Sequence, residues 1–508
     1  FKYYIPATDS EIQNMLSEIG LEKLDDLFNH IDDSVKFDGE FQCADEIEYN
    51  ELLDHVKSIS EKNKVMTSFI GDGLQDYQVM DVLGPVCDIR GLTTAYTPYQ
   101  PERSQGTLQT LWIYQSALAQ MTGFEAINAS LYERSTCLFE ALNCSTRLKR
   151  NVFDVVVCES IYPGDMEVLH TLAKETKLNI HIAPINKETG KTDFNKLKNL
   201  FENNNIAGFA FPQINHLGNI EEFDALTDLA KEYKIKSICI FDPFAISNNM
   251  LKEPASFGTD GTGVDMVVAE GQHLVLGANY GGPGLGIFGI RYNDQDKMSI
   301  RSTAGRYVGK ARDINGRECK TLILSTREQH IRREKATSNI CSNQSFVASA
   351  AGASMLRRGS LGLTQSAQTA NNFANEMFEY LTGLEGVETK FPHSPFFNQF
   401  TLKLNKNIHE VIQAGFKEGL EVGLDISGRY GLEENLLLIN FTDKHTDGDI
   451  EKLKHFFSSQ FTQTNKGNKP TPWSDEMKRK NNFFIPNLSK EDIVGYYQKL
   501  GQQNLSPD

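Results

Sequence analysis

The sequence predicts an α/β chain built on a large, mostly parallel sheet, with a helical arm before it and a smaller α/β unit after it. Three observations carry that prediction. Between Val152 and Arg291, short apolar runs alternate with amphipathic stretches at the pitch of strand–helix–strand crossovers. Several of those runs (VFDVVVCES, IAGFAFPQI, SICIFDPF) are continuously apolar, as strands covered on both faces are. Further on, FFNQFTLKL and ENLLLINFT alternate like strands of an open sheet, beside the amphipathic stretches NIHEVIQAGFKEGL and DIEKLKHFFSSQ.

Residues 1–65 read as the helical arm. DSEIQNMLSEIG places Ile12, Met15, Leu16 and Ile19 on one face, with Asp9 or Ser10 as the cap and Gly20 as the stop, and SEIGLEKLDDLFNHI reads as a second helix. The large domain is expected over 66–330. Its loop TAYTPYQPERSQGTLQT leads into a helix closed by Gly123. NASLYERSTCLFEAL reads as a strand end, a turn, and a helix capped by Ser135 or Thr136. Then come strand VFDVVVCES, helix PGDMEVLHTLAKETK, strand LNIHIAPI, helix DFNKLKNLFENN, strand IAGFAFPQI, helix DALTDLAKEYK and strand SICIFDPF. A connecting helix is expected over 331–365 and the small domain over 366–460. The polar stretch after Ser459 reads as a linker, and NFFIPNLSKEDIVGYYQKLGQQN as a docking helix, within a tail 461–508.

Composition bounds the function. With 508 residues, 40% hydrophobic and 23% charged, the chain can bury more than one core. A net charge of −16 argues against a nucleic-acid partner. The eight cysteines show no CxxC pair and no metal-ligand spacing, which points to a reducing compartment and no metal. No run approaches the length of a membrane span, and a cytoplasmic location is expected, or the mitochondrial matrix in a eukaryote.

The candidate site lies where two apolar strands end. Asp242 closes SICIFDPF, His273 follows VDMVVAEG 31 residues later (242 to 273), and the turn NYGGPGLG with Gly281 and Gly282 comes next. The layout resembles pyridoxal-phosphate (PLP) enzymes of the aminotransferase fold. There a strand-end carboxylate keeps the pyridine nitrogen protonated, and about thirty residues on a lysine holds the aldehyde as an imine. Histidine stands at the lysine's place, and an imidazole cannot form a stable imine. Without a cofactor, Asp242 would cap a neighbouring loop and His273 would be a satisfied, half-buried histidine. The glycines would serve a tight turn and a close backbone approach. The turn Tyr132-Glu133-Arg134-Ser135 offers a helix start for an anion, but Glu133 opposes one while Arg134 favours it. A basic stretch, Arg327 to Lys335, could serve subunit contact or anion binding.

Longer motifs narrow the reading. AYTPYQPERSQGTLQTLWIYQSALAQMTG, NYGGPGLGIFGIR and REQHIRREKATSNICSNQ resemble the first subunit of the two-part glycine decarboxylase, the P-protein family of the glycine cleavage system. The opening YIPATDSEIQNMLSEIG is similar too. The resemblance implies a fold-type-I PLP-dependent transferase architecture made of two homologous halves, separate or fused. The second half carries the imine lysine and the first is noncatalytic. Setting GVDMVVAEGQH against the lysine-bearing segment puts His273 at the lysine and keeps Asp265. Asp242, His273, Gly281 and Gly282 would then line a vestigial pocket, with PLP on the partner half and none covalently bound to this chain. Thr97, Tyr99, Gln100, Arg327, Arg332, Arg333 and Lys335 are the candidates for facing the partner.

The implied partners are a lysine-bearing catalytic subunit in an α2β2 assembly, or a fused second half, and the lipoylated H-protein that accepts the aminomethyl group. The tail resembles the lead-in to that second half. Two departures stand out: the family's acidic-glycine-small turn is Tyr132-Glu133-Arg134-Ser135 here, and FDPFAISNN replaces a DPLSLG-like stretch. Two alternatives stay open. One is an independent PLP lyase or decarboxylase using Lys252 or Lys310, and the other a non-enzymatic scaffold with a degenerate fold.

Overall fold

The computed structural model describes residues 7–504 other than 38, 40–41, 44, 74, 94–96, 151, 294–297, 324–332, 337, 339, 341–342 and 465. The chain divides into two compact units, Phe1–Lys64 and Val65–Asp508.

In the first unit the helix Asp9–Glu18 is capped by Thr8 rather than by Asp9 or Ser10. Thr8 accepts from the Glu11 amide, and the Glu11 carboxylate accepts from the Thr8 amide at 2.7 Å. The reciprocal pair satisfies two amides at once, which a cap one residue later could not do. The expected second helix closes instead as a 3-10 turn, Leu24–Phe28. Asp26 takes the amides of Glu22 and Lys23, at 3.1 and 2.9 Å, and so favours a tight local turn over a continuing helix. A helix Tyr49–Ser60 follows.

The first long helix of the second unit is α1, Gln105–Thr122, ended by Gly123 at φ 74°. Its large sheet contains β1 (Ala126–Ile127), β2 (Asp154–Cys158), β3 (Asn179–Ala183), β4 (Ile206–Pro212), β5 (Lys236–Ile240), β6 (Met266–Glu270) and β7 (Gly286–Ile290). They lie in the order β1-β7-β6-β5-β4-β2-β3. Strands β2 to β6 are parallel, while β7 and β1 join antiparallel at one side. The crossovers use α2 (Arg134–Leu148), α3 (Pro163–Ala173), α4 (Phe194–Asn203) and α5 (Phe223–Glu232). Successive residues serve opposite cores. Val155, Val157, Ile238, Ile240, Met266 and Val268 pack with α2, whereas Val156, Cys158, Cys239, Val267 and Ala269 pack with α1. Both faces are covered, so the strands read as unbroken apolar runs.

A hairpin of β8 (Tyr307–Arg312) and β9 (Glu318–Ile323) then precedes α6, Ser345–Leu381. This helix runs through the boundary expected near 365. Gly359, at φ 60°, breaks it locally where a Cβ would lie 2.8 Å from the Asn487 side chain. The small sheet holds β10 (Val387–Thr389), β11 (Gln399–Leu404), β12 (Leu424–Asp425) and β13 (Leu436–Asn440), antiparallel in the order β10-β11-β13-β12. Helices α7 (Ile408–Lys417) and α8 (Asp447–Gln460) accompany it.

The polar stretch 460–482, which reads as a linker, is bonded to the body of the unit. Trp473 Nε1 donates to the Phe396 carbonyl at 2.9 Å. The buried Arg479 guanidinium donates to the carbonyls of Met121 (2.7 Å) and Ile246 (2.6 Å), Met121 lying in the last turn of α1. Phe483 and Ile485 are buried. Helix α9 (Lys490–Gln502) then lays Ile493, Tyr497 and Leu500 against the body, with the Tyr497 hydroxyl on the Ser349 carbonyl at 3.2 Å. The polar composition that suggests a free linker is used to satisfy carbonyls of the body. Among the described residues, no helix is long and apolar enough to cross a membrane.

Candidate functional site

Parallel strands put their carboxyl ends on one side of the sheet, which is where ligand sites of open α/β sheets form. Asp242 follows β5 and His273 follows β6 on a 3-10 turn, so neighbouring parallel strands bring the two together. His273 Nε2 lies 3.3 Å from Asp242 Oδ2. The imidazole is 3% exposed, and neither ring nitrogen has a hydrogen-bond partner among the described residues. The expected half-buried, satisfied histidine is thus a fully buried one in ion-pair range of a carboxylate. It faces an aromatic stack: the Tyr77 and Phe244 rings lie 3.9 Å apart at 6°, and each is 5.7 Å from His273.

Asp242 caps the turn that follows it. Its Oδ1 accepts from the amides of Phe244 (2.8 Å) and Ala245 (3.1 Å), and Gln75 Nε2 is 3.4 Å from Oδ2. Burial raises its pKa, but His273 and those two amides outweigh burial and hold the carboxyl below the usual range. The cavity beside this pair measures about 20 Å3, room for one water and far too little for a pyridine ring. Asp265 sits at the opposite end of β6, bonded to Lys236 Nζ at 2.5 Å and the Ser237 amide at 3.0 Å, remote from the site.

The second part of the site is the start of α2. Its N-cap is Glu133, whose Oε1 accepts from the Thr136 amide at 2.9 Å, so the helix begins before Ser135 and Thr136. Arg134 is consumed internally: Nε and Nη2 bond Asp165 at 2.5 and 3.1 Å, Nη1 reaches the Gly73 carbonyl at 2.7 Å, and the guanidinium covers the Tyr162 ring. The glycine turn passes close by, since a Cβ on Gly284 would meet Glu133 Cβ at 2.8 Å. Gly281 takes φ 90°, while Cβ atoms on Gly281 or Gly282 would meet nothing close, so turn geometry and approach are divided among these glycines. In front lies an open cleft of about 490 Å3 walled by Asp72, Glu133, Asp165 and Glu270, with Arg134 as its one basic residue among the described residues.

Sequence reasoning missed a third cluster. His216, fully buried, has Nδ1 2.7 Å from the Tyr430 hydroxyl and Nε2 2.8 Å from Asp72 Oδ1, with Arg429 Nη1 3.2 Å from Nε2. Asp72 (φ 38°) and Tyr430 (φ 57°) both hold left-handed backbone. No short motif joins residues 72, 216 and 430, so only the folded chain reveals them. Burial, opposed by Asp72, pulls the His216 pKa below its ordinary 6.5, and burial does the same to His445. Both histidines therefore bind protons less readily folded than unfolded, so stability is fully present above pH 6.5 and falls as pH drops below it. The thermal midpoint should decline on acidification in that window, and His216→Gln should remove part of the slope. An unchanged slope would contradict the assignment.

Neither alternative lysine serves the site. Lys252 Nζ is paired with Asp224 at 2.6 Å, and Lys310, on β8, lies 3.4 Å from Glu318. Among the described residues, no lysine lines the cavity or the cleft.

The family model described as glycine cleavage system P-protein matches residues 2–457. A relative from Legionella pneumophila (strain Corby), named probable glycine dehydrogenase (decarboxylating) subunit 1, is 34% identical over 451 residues, 88% of this chain and 96% of the relative. One of the same name from Moorella thermoacetica is 34% identical over 450 residues, 89% of this chain and 98% of the relative. The chain belongs to the glycine cleavage system P-protein family.

A solved P-protein structure, glycine decarboxylase in inhibitor-bound form, superposes with a TM-score of 0.78 at 27% identity, covering 90% of this chain and 99% of that one. Lactobacillus brevis glutamate decarboxylase shares the fold alone, with a TM-score of 0.60 at 10% identity over 84% of this chain and 95% of its own. The fold is that of the fold-type-I PLP enzymes, with a large, mostly parallel sheet. Within that P-protein fold the residues here do not fit PLP. Residue 273 is histidine, the cavity beside Asp242 is water-sized, and carboxylates gather at the helix start.

The remaining sequence candidates are placed unevenly. Thr97 is buried within the chain, and the Tyr99 hydroxyl accepts from Arg306 Nη2 at 2.7 Å. Gln100 is exposed ahead of the 3-10 turn Pro101–Arg103. Arg333 is exposed at φ 51°. Arg327 and Arg332 lie outside the described residues, as does the Lys335 side chain.

Proposed function

We propose that this chain is the lysine-lacking, noncatalytic half of a two-part glycine decarboxylase. The observation that carries the reading is the histidine at 273, in ion-pair range of Asp242, with no lysine lining either space among the described residues. A homologous lysine-bearing subunit, or a fused second half, pairs with it in an α2β2 assembly, and the lipoylated H-protein takes the aminomethyl group. PLP held by that partner supplies the electron sink for the charge left on glycine when carbon dioxide departs. This chain's share is to complete the dimer and the wall of the partner's cleft. Thr97, Tyr99 and Gln100, with the stretch from Arg327 through Arg332 and Arg333 to Lys335, are the segments proposed to face the partner. The names of the relatives, each a subunit 1, and the internal use of Asp242 as a turn cap support this division. A reducing compartment, the cytoplasm or a mitochondrial matrix, fits the scattered cysteines.

Reconstitution tests the proposal. Mixed with its lysine-bearing counterpart, PLP and lipoylated H-protein, the chain should restore glycine decarboxylation that neither polypeptide shows alone. Asp242→Ala should cost stability, because two amides and His273 lose their partner, yet leave turnover of the assembled enzyme within a few-fold. A drop of roughly a hundredfold with assembly intact would place Asp242 in the chemistry and defeat the proposal.

A further inference from the structure

We propose that Glu270 is an internal stand-in for a phosphate group, so that the chain's own pocket bars phosphate as well as lacking an imine lysine. Glu270 ends β6, is 7% exposed, and accepts from three backbone amides belonging to three separate segments. Oε2 takes the Arg134 amide at the start of α2 at 3.2 Å. Oε1 takes the Gln272 amide on the turn after β6 at 2.9 Å, and the Leu285 amide at the end of the glycine turn at 2.7 Å.

These converging amides form an anion seat, and the Arg134 amide opens a fifteen-residue helix whose dipole adds to the attraction. In this chain both oxygens of a side-chain carboxylate fill it. A second anion would meet Glu133, Asp72 and Asp165 across the cleft, and Arg134, the single cation lining it among the described residues, is already bonded to Asp165 and Gly73. Glu270 is thereby held on both oxygens, and it ties the end of β6, the glycine turn and the start of α2 together. Exclusion thus rests on two independent features, the missing amine at 273 and the occupied seat at 270.

The test uses this chain alone and inorganic phosphate, with chloride matched for ionic strength, and reads the thermal midpoint. Native chain and Glu270→Gln, whose amide oxygen still accepts from the seat, should show no saturable response to phosphate. Glu270→Ala empties the seat and should gain a saturable rise of several degrees. Glu270→Ser, whose hydroxyl partners one amide, is the second variant should alanine fail to fold. Saturable stabilisation of the native chain equal to that of the variants would overturn the proposal, as would a folded Ala or Ser variant that gains nothing from phosphate. Because no partner is involved, a negative result falls on Glu270 and leaves pairing with a lysine-bearing counterpart to the reconstitution.

Discussion

Replacing Gly106 with alanine should release helix α9 from the body of the protein. A Cβ at 106 would lie 1.8 Å from the Leu500 carbonyl oxygen and 2.6 Å from its carbon, and both are backbone atoms that cannot swing aside. The contact is locked from both sides, since Asn504 accepts from the Thr107 amide at 3.1 Å and donates to the Gly91 carbonyl at 2.8 Å. Overpacking alone costs about 1–3 kcal/mol. Here the relief is to detach α9, which uncovers Ile493, Tyr497 and Leu500, all of them buried. We expect a loss of at least about 3 kcal/mol in denaturant unfolding. Limited proteolysis should now cut between 461 and 489, where the native chain should resist it. Native stability with a protected tail would show that α9 is not seated as described. The family match ends at residue 457, so the tail's weight in the fold comes from the structure rather than from the relatives.

The second large effect concerns the Arg134–Asp165 pair. Its side chains are only 11% and 8% exposed, and the bonding is two-pronged. Asp165 raises the Arg134 pKa further against the opposing effect of burial, so the guanidinium stays charged at any working pH. Asp165→Ala would leave that charge bonded only to the Gly73 carbonyl, beside the Tyr162 ring face. Removing one partner of a buried pair costs about 3–5 kcal/mol, and we expect the lower end because the cleft admits water. Asp165→Asn, which keeps one acceptor, should lose less than half as much in the same unfolding experiment. Equal losses would assign the effect to the lost charge alone, with no share for the shape and acceptor that asparagine keeps.

The scaffold was legible in the sequence where local pattern decides structure. Continuous apolar runs such as VVVC and ICIF, rich in β-branched residues and set between amphipathic stretches, pointed to strands covered on both faces, and the 3.6-residue pattern of α1 was closed by a glycine that does take left-handed backbone. The meeting of Asp242 and His273 was readable too, because adjacent parallel strands fix which residues emerge side by side. What escaped was polar and long-range. Glu270 reads as an ordinary strand end until the amides of Arg134 and Leu285 join that of Gln272 on its carboxylate. Arg134 looked free for an anion because its partner stands 31 positions away on α3. His216 gives no motif with Asp72 and Tyr430. Buried polar pairs carry no periodicity, so the fold must be known before they can be seen. The tail misled for the opposite reason: its composition suggested slack, but Arg479 and Trp473 bind carbonyls of the body.

One measurement bears most directly on the claim that the cofactor's anchor belongs to another chain. The assembled enzyme, loaded with PLP, is reduced with borohydride, and the modified lysine is located by peptide mass mapping. The account predicts a stoichiometric adduct on the counterpart and none on this chain; a stoichiometric adduct on Lys252, Lys310 or any other lysine of this chain would contradict it.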